Sequence, residues 1–244
     1  MKRETINKIR FVLEELLPPI VHDSRFMVFL YKLKWGSFIE DLAQFRKNAA
    51  FLTDEEYRDI YQRMPRLQES TDNSEQCVDL ICEHIIPGKV CDIGCGTGYL
   101  LNVIQGKRAD VTELTGVDFV LEESAADSNK IKFVEAPVES LPFADNAFDT
   151  VICTHVLEHI LDIGKAIAEL RRIAARRLII VVPLEREHVY TFNPHFHFFP
   201  FTHSFLRVVR PRADQYKIQR VERDIFYIED QDVSAKDTIS EPQA

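Results

Sequence analysis

The chain has 244 residues, 45% hydrophobic and 28% charged, which is ordinary for a globular protein and enough for one α/β domain with an added subdomain. A formal net charge of −9 disfavours broad nucleic-acid binding, which depends on cations set against phosphates. No run reaches the roughly 20 apolar residues of a membrane span, the start Met1-Lys2-Arg3-Glu4 lacks the apolar core of a signal peptide, and cysteines 77, 82, 91, 95 and 153 show no zinc-like spacing and read as reduced, mostly buried residues of a cytoplasmic protein.

Residues 1–70 read as an N-terminal helical extension. Ile6, Ile9, Phe11, Leu13, Leu16 and Leu17 recur at helical spacing until Pro18-Pro19. Phe26 to Phe38 mixes aromatics with Arg25, Lys32 and Lys34, and Thr53-Asp54-Glu55-Glu56 is a capping box. This extension either caps a site and helps define its substrate or simply packs on the domain behind it. Its aromatic and cationic mix also suits contact with a membrane surface.

Residues 72–86 form a further helix with Asp72 or Ser74 as N-cap. From there apolar strands alternate with helices: 89–93, 113–117, 132–134, 150–154 and 178–182, with a helix from His155 to about Ala174 between the last two. Continuous runs such as Leu178-Ile179-Ile180-Val181-Val182 suit a sheet buried on both faces, and the alternation implies parallel strands with right-handed crossovers. Arg171, Arg172, Arg176 and Arg177 are the densest basic cluster, read as cations at a helix end. Tyr216–Val221 and Ile225–Ile228 are placed for a terminal hairpin, and 230–244 is an apolar-poor, disordered tail.

The first strand runs into Val90-Cys91-Asp92-Ile93-Gly94-Cys95-Gly96-Thr97-Gly98-Tyr99-Leu100. Three alternate glycines let the backbone turn sharply out of a strand and approach a ligand closely, and the next helix offers unpaired N–H groups. The spacing is not that of a phosphate-binding P-loop, and Tyr99 stands where a dinucleotide fingerprint has its third glycine. A ligand-free glycine turn is the bland alternative. Asp118 ends a strand about 20 residues on, where an open α/β sheet places an acid on a ribose. Leu141-Pro142-Phe143, Phe148-Asp149-Thr150-Val151-Ile152 and Leu157-Glu158-His159 follow.

In order and spacing over roughly 77–183, these segments resemble motif I and its companions in the class I S-adenosylmethionine (SAM) dependent methyltransferases, in particular the methyltransferase type 11 group. The resemblance implies a Rossmann-like α/β fold, a mostly parallel seven-stranded sheet with helices on both faces and a reversed last strand, spanning residues 71–229. It implies SAM as cofactor. Asp92 would face the donor's amino group, and the backbone of Gly94, Cys95, Gly96 and Gly98 its methionyl portion. Asp118 would take the ribose hydroxyls and Phe119 would offer an apolar surface to adenine. The group's usual acid before its LPF segment is Pro137 here, leaving the Val138 backbone and Glu139 as substitutes for adenine recognition.

His155, at the end of the fourth strand, would touch donor or acceptor; His159, one helical turn on, reads as structural. Tyr190–Phe205 holds six phenylalanines and three histidines. It reads either as an aromatic acceptor pocket with His195 or His197 as base, or as a packed loop, with Thr202 capping the helix that follows. His195 and His155 are thus the candidate catalytic residues. His195-x-His197 lacks a third ligand of clear spacing, so no metal is expected. The expected function is methyl transfer to a small-molecule, lipid or saccharide acceptor, with oxygen taken as the acceptor atom. A non-catalytic binding protein of the same fold and a protein or RNA methyltransferase are the alternatives.

Overall fold

The structure, a computed structural model, describes residues 18–22, 24–36, 46–53, 55–57, 71–121, 131–188, 195–212 and 215–231. The expected helix over residues 6–17 and the tail beyond 231 lie outside the described residues. Among those described, no helix is long and apolar enough to cross a membrane.

Seven strands form one sheet: β1 Gly88–Ile93, β2 Val111–Asp118, β3 Ile131–Glu135, β4 Phe148–Thr154, β5 Ala174–Pro183, β6 Tyr216–Val221 and β7 Asp224–Asp230. Their spatial order is β3-β2-β1-β4-β5-β7-β6. The first five are parallel, and β7 runs antiparallel to both β5 and β6. Each strand foreseen from its apolar run is present, lengthened by a residue or more at one or both ends except for β6. The order reverses direction at β1, between β2 and β4, which opens a crevice at the carboxyl ends of these strands, where α/β sheets bind ligands.

Side chains alternate across the sheet. Cys91, Ile93, Val151, Cys153, Leu178, Ile180 and Val182 belong to one buried core, and Val90, Ile152, Ile179 and Val181 to the other. The continuous apolar runs are therefore consumed on two faces. Helices α3 Glu75–His84 and α4 Tyr99–Lys107 cover the second core, while α5 Ile163–Ile173 and α6 Thr202–Val209 cover the first. Helix α5 packs through Ala166, Ile167, Leu170 and Ile173, an i, i+1, i+4, i+7 stripe.

The helix ends settle one alternative and give two corrections. Ser74 rather than Asp72 caps α3, accepting from the Cys77 amide at 3.1 Å. The helix expected from His155 starts only at Ile163, capped by Asp162; a 3₁₀ turn, Leu157–His159, precedes it. His155 has a φ of 54°, so His155 and His159 do not share an α-helical face. Thr202 is the first residue of α6, whose N-cap position is Phe201 with no side-chain cap bond.

The arginine cluster is also redistributed. Arg171 and Arg172 sit in the last turn of α5, but Arg176 and Arg177 lie on β5. Arg171 bridges to Glu229, Arg172 to Glu169 and Asp145, and Arg177 to Asp230. These cations are spent on the protein's own carboxylates rather than exposed as a basic patch.

Of the N-terminal part, α1 Pro19–His22 and α2 Arg25–Trp35 are described. Ser24 caps α2, and Gly36 ends it at a φ of 62°. Met27 and Tyr31 are buried, whereas Phe26, Phe29 and Leu33 are exposed. The capping box at Thr53 is present in both directions: Thr53 N–H donates to Glu56 Oε2 at 2.8 Å and Glu56 N–H to Thr53 Oγ1 at 3.3 Å.

Candidate active site

A cavity of about 660 Å³ opens over the carboxyl ends of β1, β2 and β4. Its floor includes Gly94, Val117, Asp118 and Phe119; Pro137, Val138 and Glu139 form one side, and His155, Val156 and His159 another. Ala49, Leu52, Glu55 and Tyr57 of the N-terminal part close over it. The volume lies within the range of small-molecule sites, about 300–1,000 Å³.

The glycine loop is built by its own hydrogen bonds. Gly94 and Cys95 N–H groups both donate to the Val117 carbonyl, at 2.7 and 3.0 Å, which folds the loop onto the end of β2. Gly96 N–H donates to Asp118 Oδ2 at 2.8 Å, and Val120 N–H to Asp118 Oδ1 at 3.2 Å.

Two glycines need their missing side chain for different reasons. Gly96 has a φ of 53°, and a Cβ there would meet nothing within 4 Å, so its backbone faces open space. Gly98 has a φ of 77° and a Cβ would lie 2.8 Å from Phe133, so this position serves helix-to-strand packing.

Cys95 is buried, and its sulfur sits against Gly116 rather than in the cavity. Burial, then the charges of Asp92 and Asp118, push its thiol well above the ordinary range. Such a thiol is not a nucleophile at neutral pH. All five cysteines are free and buried.

Asp92 is 1% exposed, and its Oδ1 has no hydrogen-bond partner among the described residues. Burial, with the Asp118 charge adding to it, raises its carboxyl to about 8. A buried acid with an unpaired oxygen is costly unless a donor or cation reaches it. Asp92 lies behind the cavity wall, one residue from its lining.

His155 lines the cavity. Its Nδ1 is 3.6 Å from Glu158 Oε1 and its Nε2 3.8 Å from Asp224 Oδ1. Burial opposes its charge, but the Glu158 hydrogen bond and the Asp224, Glu158 and Asp72 carboxylates outweigh this and raise it to about 9. These carboxylates favour the charged imidazolium, which disfavours His155 as a base.

His195 is 6% exposed and does not line the cavity. Its Nδ1 is hydrogen-bonded to Glu185, and its ring meets that of His159 edge-on at 4.7 Å. The expectation that it is an acceptor-facing base is thereby displaced, because His159 stands nearer the cavity. His197 Nε2 is bound to the Ile160 carbonyl at 2.8 Å. Residues 189–194 of the aromatic loop lie outside the described residues; within 195–205, Phe199 and Phe205 pack into the core and His195 is buried rather than exposed.

Sequence reasoning missed Tyr57, Glu158 and Glu185. Tyr57 contacts the Phe119 and Phe196 rings, each at 6.2 Å, and donates its hydroxyl to the His159 carbonyl at 2.9 Å. Glu158 was visible only as part of a motif, although its side chain is 1% exposed and faces three histidines.

Residues 91–181 match the family described as "Methyltransferase domain". Over 115 residues the chain is 32% identical to the demethylmenaquinone methyltransferase of Thermus thermophilus, covering 43% of this chain and 51% of that protein. It is 34% identical over 97 residues to the 2-phytyl-1,4-naphtoquinone methyltransferase of Nostoc, covering 36% and 42% respectively. The chain thus spans about half the length of these curated relatives. Burkholderia thailandensis 1,6-didemethyltoxoflavin-N1-methyltransferase, solved with 1,6-didemethyltoxoflavin and S-adenosylhomocysteine, shares the fold with a TM-score of 0.53 at 18% identity, over 79% of this chain and 89% of that one. In strand order, in its glycine loop and through these matches, the chain is similar to the class I SAM-dependent methyltransferases.

Proposed function

We propose that the protein transfers a methyl group from SAM to a hydroxyl oxygen of a small, ring-bearing, largely apolar acceptor. The observation that carries this reading is a cavity whose floor sets the backbone of Gly94 beside the carboxylate of Asp118, which the Gly96 amide holds in place at 2.8 Å.

In this reading Asp118 accepts the ribose hydroxyls, and the main chain of Gly94, Cys95, Gly96 and Gly98 follows the methionyl part. The orphaned Oδ1 of Asp92 suits a cationic amino group, directly or through water. Phe119 covers one adenine face, and the Val138 backbone and the Glu139 side chain serve its polar edge. When bound, SAM supplies a methyl group already activated on a positive sulfur. The protein's task is then alignment and water exclusion, and alignment alone can lower a barrier by about 7–11 kcal/mol. Tyr57, Phe119 and Phe196 offer aromatic surface to the acceptor, and the relatives named for menaquinone- and naphthoquinone-type substrates support a ring-bearing one. The net charge of −9 and the paired arginines give no support to a nucleic-acid acceptor.

Incubating the protein with methyl-labelled SAM and fractionated cell extract tests the reading. Label in an organic-soluble small molecule, with the methyl placed on oxygen by mass spectrometry, is the expected result. Label confined to protein or RNA would overturn the acceptor class, and a methylated ring carbon would overturn the acceptor atom.

A further inference from the structure

Glu158, His159 and His195 converge from two separate segments. One ligand-type atom from each lies within 4.8 Å of the others. We propose that these three side chains form a mononuclear site for a divalent transition-metal ion of the zinc type, beside the methyl-transfer cavity.

Four observations support the assignment. Glu158 is 1% exposed, and its Oε2 has no hydrogen-bond partner among the described residues. A buried carboxylate with one oxygen unpartnered, in a cluster with two imidazoles, is a costly arrangement that a cation relieves. His195 gives its Nδ1 to the buried Glu185, which leaves Nε2 as its metal-binding nitrogen. A carboxylate behind a histidine in this way fixes the tautomer and orients the ring, as in carboxylate–histidine–metal arrangements.

The two ligand-bearing segments are also stitched together by backbone. Phe196 and His197 N–H groups both donate to the Glu158 carbonyl, at 2.7 and 3.1 Å, and His197 Nε2 meets the Ile160 carbonyl at 2.8 Å. The site is held by the fold rather than by the side chains alone. Finally, two imidazoles and one carboxylate are a donor set that zinc and similar borderline ions prefer. Tetrahedral ligands about 2.0–2.2 Å from a metal lie roughly 3.2–3.6 Å apart, so binding requires a closure of about 1 Å by side-chain rotation.

Three protein ligands leave a coordination position for water or a ligand oxygen. His159 lines the cavity, so that position is accessible from the acceptor side. The metal site stands on its own geometry and does not require the methyl-transfer reading.

The test is titration of the chelator-stripped full chain with Co²⁺ alone, followed by absorption in the visible region, with Zn²⁺ as competitor. One equivalent bound, with bands of four- or five-coordinate cobalt that Zn²⁺ abolishes, is expected. His159→Ala and His195→Ala should each weaken binding roughly 100-fold or more. Glu185→Gln, which keeps all three ligands, should weaken it about 10–100-fold while preserving the band shape. His203→Ala, at an exposed histidine, should leave it unchanged. Circular dichroism establishes that each variant is folded. A wild-type protein without such bands, or variants that bind as it does, would overturn the site. SAM titrated in parallel separates the two ideas: SAM binding without cobalt binding removes the metal and leaves the proposed function standing.

Discussion

At the residue scale, two acids at the strand tips carry opposite burdens. Asp118 faces the cavity with both oxygens already holding backbone amides. Replacing it with alanine removes the proposed ribose acceptor and the partner of the Gly96 amide, and is expected to weaken SAM binding by about 1–3 kcal/mol, measured by calorimetry. Asp92 is buried with its carboxyl raised to about 8. An acid raised on folding contributes stability that is full below its ordinary value near 3.8 and is lost as pH rises towards 8. Ligand-free protein should therefore lose melting temperature across that window, and Asp92→Asn should abolish the loss and melt several degrees higher at pH 8. A cationic ligand lowers the Asp92 carboxyl, so SAM binding near pH 7 should release protons. Calorimetry in buffers of different ionisation enthalpy measures this.

At the element scale, the sheet edge depends on a buried cluster joining α5 to β7. Arg171 Nε donates to Glu229 Oε1 at 2.9 Å, and the Tyr227 hydroxyl to Glu229 Oε2 at 2.6 Å, with Glu229 fully buried. Glu229→Ala strands both donors and should cost about 3–5 kcal/mol in urea unfolding. Ser74→Ala removes the α3 cap and should cost about 0.5–2 kcal/mol by the same measurement. The strands were legible in the sequence because runs such as Leu178–Val182 are apolar on both sides of the pleat. The start of α5 was not. Glu158 and His159 look helical by composition, but the left-handed His155 and the cap at Asp162 break the chain there. The glycine loop and Asp118 stood out by their spacing together with the resemblance to the methyltransferase motifs. The Glu158–His159–His195 cluster was not legible, because His195 is distant in sequence and only the fold brings it to the other two, in part through the Glu158 carbonyl's bonds to Phe196 and His197.

At the scale of the whole molecule, the N-terminal part completes the cavity that the sheet only floors. Tyr57 reaches across to Phe119, Phe196 and the His159 carbonyl, and Arg46 donates to Glu187 and the His188 carbonyl. These contacts set the described residues of the N-terminal part beside the cavity. Tyr57→Ala should speed release of S-adenosylhomocysteine roughly 3–10-fold, the worth of one aromatic contact, as read by stopped-flow. The central claim, a sulfonium nucleoside held over the Gly94 backbone and Asp118, is tested most directly by calorimetric titration of the purified chain with SAM. Saturable one-to-one binding that Asp118→Ala weakens is the result expected. No binding, or binding that the substitution leaves unchanged, would contradict it.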